Sequence, residues 1–374
     1  MKKFSFSWQI AILLFIIASS CQKPDIVNNI ETNVSNSTTD AVEMTIVFNG
    51  VRIRKPAGVP LKIFQLNSNR EVSQYLDDLN NNSSARAQSK IPLGILNSTV
   101  GSIISKYINV NKPIFEQDDL GKIYKDLPDF KSKEDIMKNA ELILQYYNRL
   151  VINDLKKEVL TIPSDVSGGR YPFSNFGNGN DYERQLFNEE PIMGNCVYNA
   201  SLDARDWTNQ MYNSIDADDW RGNAFKHACW NAQAARKIVI TGYSQWTAYE
   251  WTKRFATAHE YNTTVSPWQL GSDHKNIMDY HNNLKGRSYT KDHIRTNIWG
   301  NVVGWPSESS IINDHYNHVN NPNDLKVPPQ SFSDQDKGNY ILTLTSSTGT
   351  VEGLSNANYT DYLYLAALMF DPLP

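Results

Sequence analysis

One stretch constrains the fold of this chain more than any other. Between Arg221 and Ile240 the polar stripe at helical spacing is Lys226, Gln233 and Lys237, while Phe225, Ala228, Cys229, Trp230, Ala232, Ala234, Ala235 and Ile238 fill most of the rest. A helix that is apolar around most of its circumference has to be surrounded by other elements. The spacing therefore predicts a central helix within a multi-helix domain. His227 and Asn231, one turn apart, fall on its buried side. Buried polar groups must be hydrogen-bonded or liganded, so these two side chains need partners.

Two further segments repeat the pattern. Around 246–261, Ala248, Thr252, Phe255, Ala256 and His259 share an inner face, and Glu250, Lys253, Thr257 and Glu260 share the outer one. By period alone Glu260 points outward, unless the helix ends there and frees it to turn. Around 273–285, Ser272 reads as an N-cap and Gly286 as the C′ residue. Ile277, His281 and Leu284 form the inward stripe. Asp279 stands some 200° around the helix from His281, so the two cannot share an ion on a regular helix. Asp279 is instead expected to reach a neighbouring helix and orient an imidazole or accept from Asn231.

All seven histidines lie between His227 and His318, and eight of the nine tryptophans between Trp207 and Trp305. The residues suited to metal binding and to proton transfer near neutral pH are thus gathered in one window. Three inward imidazoles, from His227, His259 and His281, would suit a catalytic zinc with an open fourth position. A histidine held by Asp279, with Glu260 as acid or base, would serve general acid–base catalysis without metal. A hydrogen-bonded core network of His, Asn and Asp fixing helix register fits the same residues. Asn231 and Asn282 would position groups, and Trp268, in a loop after Pro267, is the ring placed to stack on a ligand. His315 and His318 form a partly exposed stripe, and His274 and His293 read as surface residues. His259-Glu260 does not open a zinc helix of the H-E-x-x-H type, because Thr263 occupies the second histidine position. Gly177-x-Gly179, in the loop 167–180, lacks the third glycine and the preceding strand of a dinucleotide site.

The N-terminus reads as a targeting segment over 1–20. Lys2 and Lys3 precede an apolar run from Trp8 to Ile17, too short to span a bilayer, and small residues then lead into Cys21. This ending resembles the lipobox of bacterial lipoproteins, with Ala18 in place of the usual leucine. It implies a lipidated Cys21 and a cell-envelope location, with Gln22 favouring the outer membrane. Loss of Lys2 and Lys3 takes the formal net charge from −4 to about −6, which argues against nucleic-acid binding. Cys196 and Cys229 either pair in an oxidising compartment or remain buried thiols.

Residues 21–40 are rich in Asn, Ser and Thr, a flexible tether. Residues 41–130 form a small N-terminal α/β region, with strands at Met44–Phe48 and Leu61–Phe64 around a turn at 56–60, a helix at 71–79 and a loop at 80–89. A helical domain is expected over 131–325. It begins with a helix capped by Ser132 and running toward Val159, and continues through helices near 196–213, 221–240, 246–261, 273–285, 290–303 and 307–319. A C-terminal strand at 340–345 and a tail complete 326–374, the strand being placed to share a sheet with 44–48. The expected fold class is mainly α, α+β overall.

The set Asn223-Ala-Phe-Lys-His-Ala-x-Trp-Asn231, Phe255-Ala-x-Ala-His-Glu260 and Met278-Asp-x-His-Asn-Asn283-x-x-Gly286 resembles a bacterial family, domain of unknown function six-nine-seven-three. The resemblance covers about 205–290, with Lys226 where arginine is expected. It implies a helical domain in exported or surface-associated proteins and carries no catalytic assignment. A looser similarity is to helical zinc-dependent phospholipases, whose ligand spacing is absent here. Together the residues lead to a lipid-anchored hydrolase, with zinc as the metal where one is used and a phosphoester, lipid or ester as substrate. The competing expectation is a non-catalytic binding or structural lipoprotein.

Overall fold

A computed structural model of the chain describes residues 40–88, 91–109, 115, 117–162, 180–212, 221–260, 274–297, 302–344 and 365–366. The expected leader with Cys21, nearly all of the expected tether, most of the loop 167–180, Trp268, Ser272 and most of 345–374 lie outside the described residues. Among those described, thirteen α-helices and three small strand pairs make up the fold, which is mainly helical and α+β overall.

The N-terminal part opens on a hairpin, β1 (Met44–Phe48) and β2 (Val51–Lys55), paired antiparallel with Phe48 opposite Val51. The two-residue turn is Asn49-Gly50, both at positive φ, the sequence and conformation of a tight turn that matches strand twist. Leu61–Phe64 is not a strand. It forms a 3₁₀ turn after Pro60 that buries Ile63 and Phe64, because a short apolar run without alternation does not specify a strand. Then come α1 (Asn69–Leu79), α2 (Ser83–Gln88), α3 (Leu93–Ile104) and α4 (Gln117–Asp126). The helix α2 stands where the polar composition of 80–89 reads as a loop.

The segment capped by Ser132 divides in two. Ser132 and Asp135 form a reciprocal capping box at the start of α5 (Lys133–Lys138), and the chain bends at Asn139 before α6 (Ala140–Glu158). The remaining helices are α7 (Asp181–Glu189), α8 (Pro191–Tyr212), α9 (Arg221–Thr241), α10 (Gln245–Glu260), α11 (His274–His293), α12 (Glu308–Asn320) and α13 (Asp334–Thr343). One apolar core runs from Phe48 through α6 and α8 to α9 and Leu325.

The helix α9 packs on α8, α10, α11 and α12 and is buried around most of its surface, as its composition requires. Even Gln233 is enclosed, donating to Asp203 at 2.8 Å and to Glu308 at 2.9 Å. The helix α11 runs straight through Gly286 to His293, so Gly286 is not a helix end. An ideal Cβ built there would lie 1.9 Å from the carbonyl oxygen of Ala228. The glycine is present because the backbones of α9 and α11 approach each other at that point.

The helix expected at 290–303 is therefore the last turn of α11 followed by a small antiparallel pair, β3 (Arg295–Thr296) and β4 (Val302–Gly304). The strand expected at 340–345 is replaced by α13, capped by Ser333 and packed on α11 with Gly338 against Ile277. It cannot share a sheet with β1. A short parallel pair instead joins β5 (Leu325–Lys326) to β6 (Leu365–Ala366). Cys196 and Cys229 are both free, buried thiols, the second of the two alternatives. No helix among the described residues is long and apolar enough to cross a membrane.

Candidate functional site

Spacing along three helices builds the site. The helix α9 presents Asn223, His227 and Asn231 at i, i+4 and i+8, and α11 presents Asp279 and Asn283 at i and i+4. Glu260 is the last residue of α10. Its side chain lies between the other two helices and is buried.

The polar contacts fix one another. Asn231 Nδ2 faces the carbonyl oxygen of His227 at 3.2 Å, so that atom must be the amide donor. The same nitrogen donates to Asn283 Oδ1 at 2.6 Å, and Asn283 Nδ2 donates to Glu260 Oε1 at 3.0 Å. Asn283 Oδ1 also lies 3.0 Å from His227 Nδ1. A carbonyl oxygen can only accept, so Nδ1 carries the proton. In the neutral ring Nε2 then carries the lone pair. Burial, with the charges of Lys226 and His259 adding to it, holds His227 well below the ordinary histidine range and keeps the ring neutral.

That lone pair looks toward a carboxylate. Asp279 Oδ1 stands 3.4 Å from His227 Nε2, and Glu260 Oε1 stands 3.7 Å from Nδ1. Asn223 Nδ2 donates to Asp279 Oδ1 at 3.0 Å and holds the carboxylate in place. One ligand atom from each of His227, Glu260 and Asp279 lies within 4.8 Å of the other two. Burial raises the Glu260 carboxyl, against the pull of His259 and the bond from Asn283. Asp279 is the most exposed of the three and marks the open side of the group.

The convergent group is thus one imidazole and two carboxylates, and neither His259 nor His281 belongs to it. His259 turns to α7, where its Nδ1 meets Glu183 Oε1 at 3.0 Å. Burial works against both charged groups, but each outweighs it for the other: Glu183 raises His259, and His259 lowers Glu183. The pair is ionic. The indole of Trp230 lies edge-on to His259, with ring centroids 5.1 Å apart, and stands beside His227 as well. His281 and Asn282 are fully buried on α11. The inward phase of the three histidines was legible, but three inward residues on different helices need not meet.

Asn283, the hub of the network, and Asn223, which holds Asp279, stand in the motif set but were given no role from the sequence. Each stands four residues from one that was given a role, Asp279 and His227 respectively, which is the signal that assigns them. Glu183 carries no such signal, being far away in sequence and on a short helix. His315 is buried and donates from Nδ1 to the Ile311 carbonyl; burial brings it down to about 4 against the rise that this bond gives. His318 is exposed and meets Asp324, so the two do not act as a pair. His293 is exposed at the end of α11, and His274 is half-buried near Asp334.

No curated protein and no solved structure matches the chain. Residues 184–319 match a family model, a span from α7 to α12 that contains every residue of the group and Asn223, Asn231 and Asn283. The family is described as Domain of unknown function (DUF6973), and the match covers residues 184–319 alone.

Proposed function

We propose that the chain is a hydrolase whose centre is a divalent-cation site formed by His227, Glu260 and Asp279, acting on a phosphoester, lipid or ester. The observation that carries this is the His227 Nε2 lone pair 3.4 Å from the Asp279 carboxylate. Two electron-rich atoms facing each other repel unless a proton or a cation lies between them. One imidazole and two carboxylates are a donor set that zinc accepts. A cation held there would supply Lewis acidity to a bound water or a substrate oxygen.

The surrounding residues prepare that set. Asn283 fixes the tautomer that turns Nε2 to the ligand position, and Asn223 orients Asp279. The His259–Glu183 pair places a positive ring next to Glu260 and favours its ionised form. Neighbouring donors around zinc sit roughly 3.3 Å apart at the usual bond lengths. Rotation of the least buried carboxylate, Asp279, is the movement that would close the group.

A second reading, a binding or structural protein whose network fixes helix register, is supported by the complete burial of Asn231 and Asn283. The leader alone supports placing the chain on the bacterial envelope, lipid-anchored through Cys21 and in the outer membrane, with a small molecule or lipid as ligand.

Elemental analysis of the purified mature protein, with hydrolysis of nitrophenyl phosphate and nitrophenyl ester probes, separates these functions. The expected result is close to one zinc per chain, lost in Asp279→Asn with helical circular dichroism retained, and probe hydrolysis abolished by chelation. A folded wild type with neither metal nor hydrolysis would overturn the hydrolase. Loss of folding in both His227→Gln and Asp279→Asn, in a protein that never held metal, would favour the register network.

A further inference from the structure

Two helices of the N-terminal half turn polar stripes toward each other. One wall is the face of α1 with Arg70, Ser73, Gln74 and Asp77, at i, i+3, i+4 and i+7. The other wall, on α7, repeats that spacing from Asp181 to Asn188. At one end Asn69, the first residue of α1, donates to Glu190, just beyond α7, at 2.7 Å. Between the walls lies a groove of about 370 Å³, and Ala85 of α2 is the one apolar side chain among the described residues that line it. Helices pack through apolar faces, so packing does not account for two polar stripes that face each other.

The charges of the groove nearly balance. Asp77 is held by Lys156 at 2.8 Å and by Ser84, and Asp181 meets Arg184 at 3.3 Å. Glu189 meets Arg254 at 3.0 Å and accepts from Gln185 at 3.0 Å. Arg70 is the second arginine of the lining, with Glu71 beside it in sequence, and Arg86 follows Ala85. No excess of either sign selects a strongly charged ligand, and the scarcity of apolar lining selects against a lipid chain. Hydrogen-bonding capacity is what stands unused. Asn188 Oδ1 is buried and has no hydrogen-bond partner, an arrangement that costs free energy until a donor meets it. The ion-paired carboxylates keep further lone pairs that can accept. Ser73, 7% exposed, brings a hydroxyl to the lining, and Gln74 brings an exposed amide.

We infer that the α1–α7 groove binds a neutral sugar ring, with Asn188 Oδ1 accepting from one of its hydroxyls and Ser73 and Gln74 bonding to others. Every sugar hydroxyl donates and accepts at once, which suits a lining that mixes donors and acceptors with little net charge. The volume falls at the small end of ligand clefts. The groove stands apart from the His227 group and does not depend on the function proposed for it. On α7, Glu183 turns to His259 on the side of the helix opposite the groove stripe. The ligand is a free sugar or the same ring within a chain.

Isothermal titration of the purified mature protein with glucose and N-acetylglucosamine, and with cellotriose and chitotriose, in which the same rings are linked, tests the inference. Saturable binding of at least one probe is expected, and the tighter of the free and linked forms identifies the source. Asn188→Leu, which keeps the volume and removes the unpartnered acceptor, is expected to weaken Kd about tenfold. Gln74→Ala, exposed and with little bearing on folding, is expected to weaken it several-fold. No binding of any of the four probes would overturn the inference. So would tighter binding of acetate or inorganic phosphate than of every sugar, or unchanged affinity in Gln74→Ala and in any folded Asn188→Leu.

Discussion

Replacing Gly286 with alanine is expected to destabilise the fold by about 3 kcal/mol or more, the upper end of what overpacking costs. In an ordinary helix interior this substitution is favourable by up to about 1 kcal/mol, because glycine is the poorer helix former. Here the added Cβ would meet the Ala228 backbone, 1.9 Å from its oxygen and 2.7 Å from its carbonyl carbon. A side chain can swing aside, but the α9 backbone cannot, so the two helices must separate. The same seam holds the bond from Thr290 Oγ1 to the Ala232 carbonyl at 2.8 Å, and Asn283 grips His227 one turn before Gly286. Urea denaturation measures the loss. An alanine variant as stable as wild type would mean that α9 and α11 do not approach this closely.

Raising the pH from 4.5 to 9 is expected to remove about 2–3 kcal/mol of stability through one carboxyl group, Glu190. Burial pushes it up to about 8 from an ordinary 4.5; the bond from Asn69 and the charges of Arg254 and Arg149 oppose the rise, and Glu189 adds to it. Part of the residue reaches the surface. The carboxyl group itself is enclosed, accepting from Asn69 Nδ2 at 2.7 Å and from Asn148 Nδ2, two amides that are themselves buried. The folded chain therefore keeps this proton between pH 4.5 and 8 while the unfolded chain releases it. The stabilisation is full below about 4.5 and is lost as pH rises through 8. The full shift would carry roughly 5 kcal/mol, and the smaller figure allows for the exposed part. Glu190→Gln imitates the protonated form, so denaturation curves should coincide near pH 4.5 and favour the variant near pH 9. Equal pH slopes in the two proteins would show that Glu190 titrates normally.

What the sequence made legible follows from how strongly each pattern is constrained. Nearly complete apolarity around α9 left one solution, a surrounded helix, and the structure has it. The strand expected at 340–345 rested on a short run containing Ile341, Thr343 and Thr345. Such a run fits a buried helix equally well, and the Ser333 cap and the packing of Gly338 on α11 decide for helix. β2 could have been found from Asn49-Gly50, whose turn dictates a second strand at Val51. Gly286 reads as a helix end because glycine ends helices more often than it lets them touch. At the site, phase turned three histidines inward; His227 and His281 are buried, His259 is half-buried, and Glu260, which phase turned outward, is buried. Phase cannot show which inward groups meet, since that depends on how the helices cross. Asp279 entered the group by reaching across to α9, and the buried Glu260 accepts from Asn283.

The His227 tautomer tests the central claim most directly. Long-range nitrogen–proton correlation spectra of the mature protein, with the His227 signals assigned by their loss in His227→Gln, report which ring nitrogen is protonated. A neutral ring protonated at Nδ1 is expected, with an Nε2 resonance that shifts on addition of one equivalent of zinc in wild type and stays in place in Asp279→Asn. A ring protonated at Nε2, or an Nε2 resonance indifferent to zinc, would contradict the cation centre.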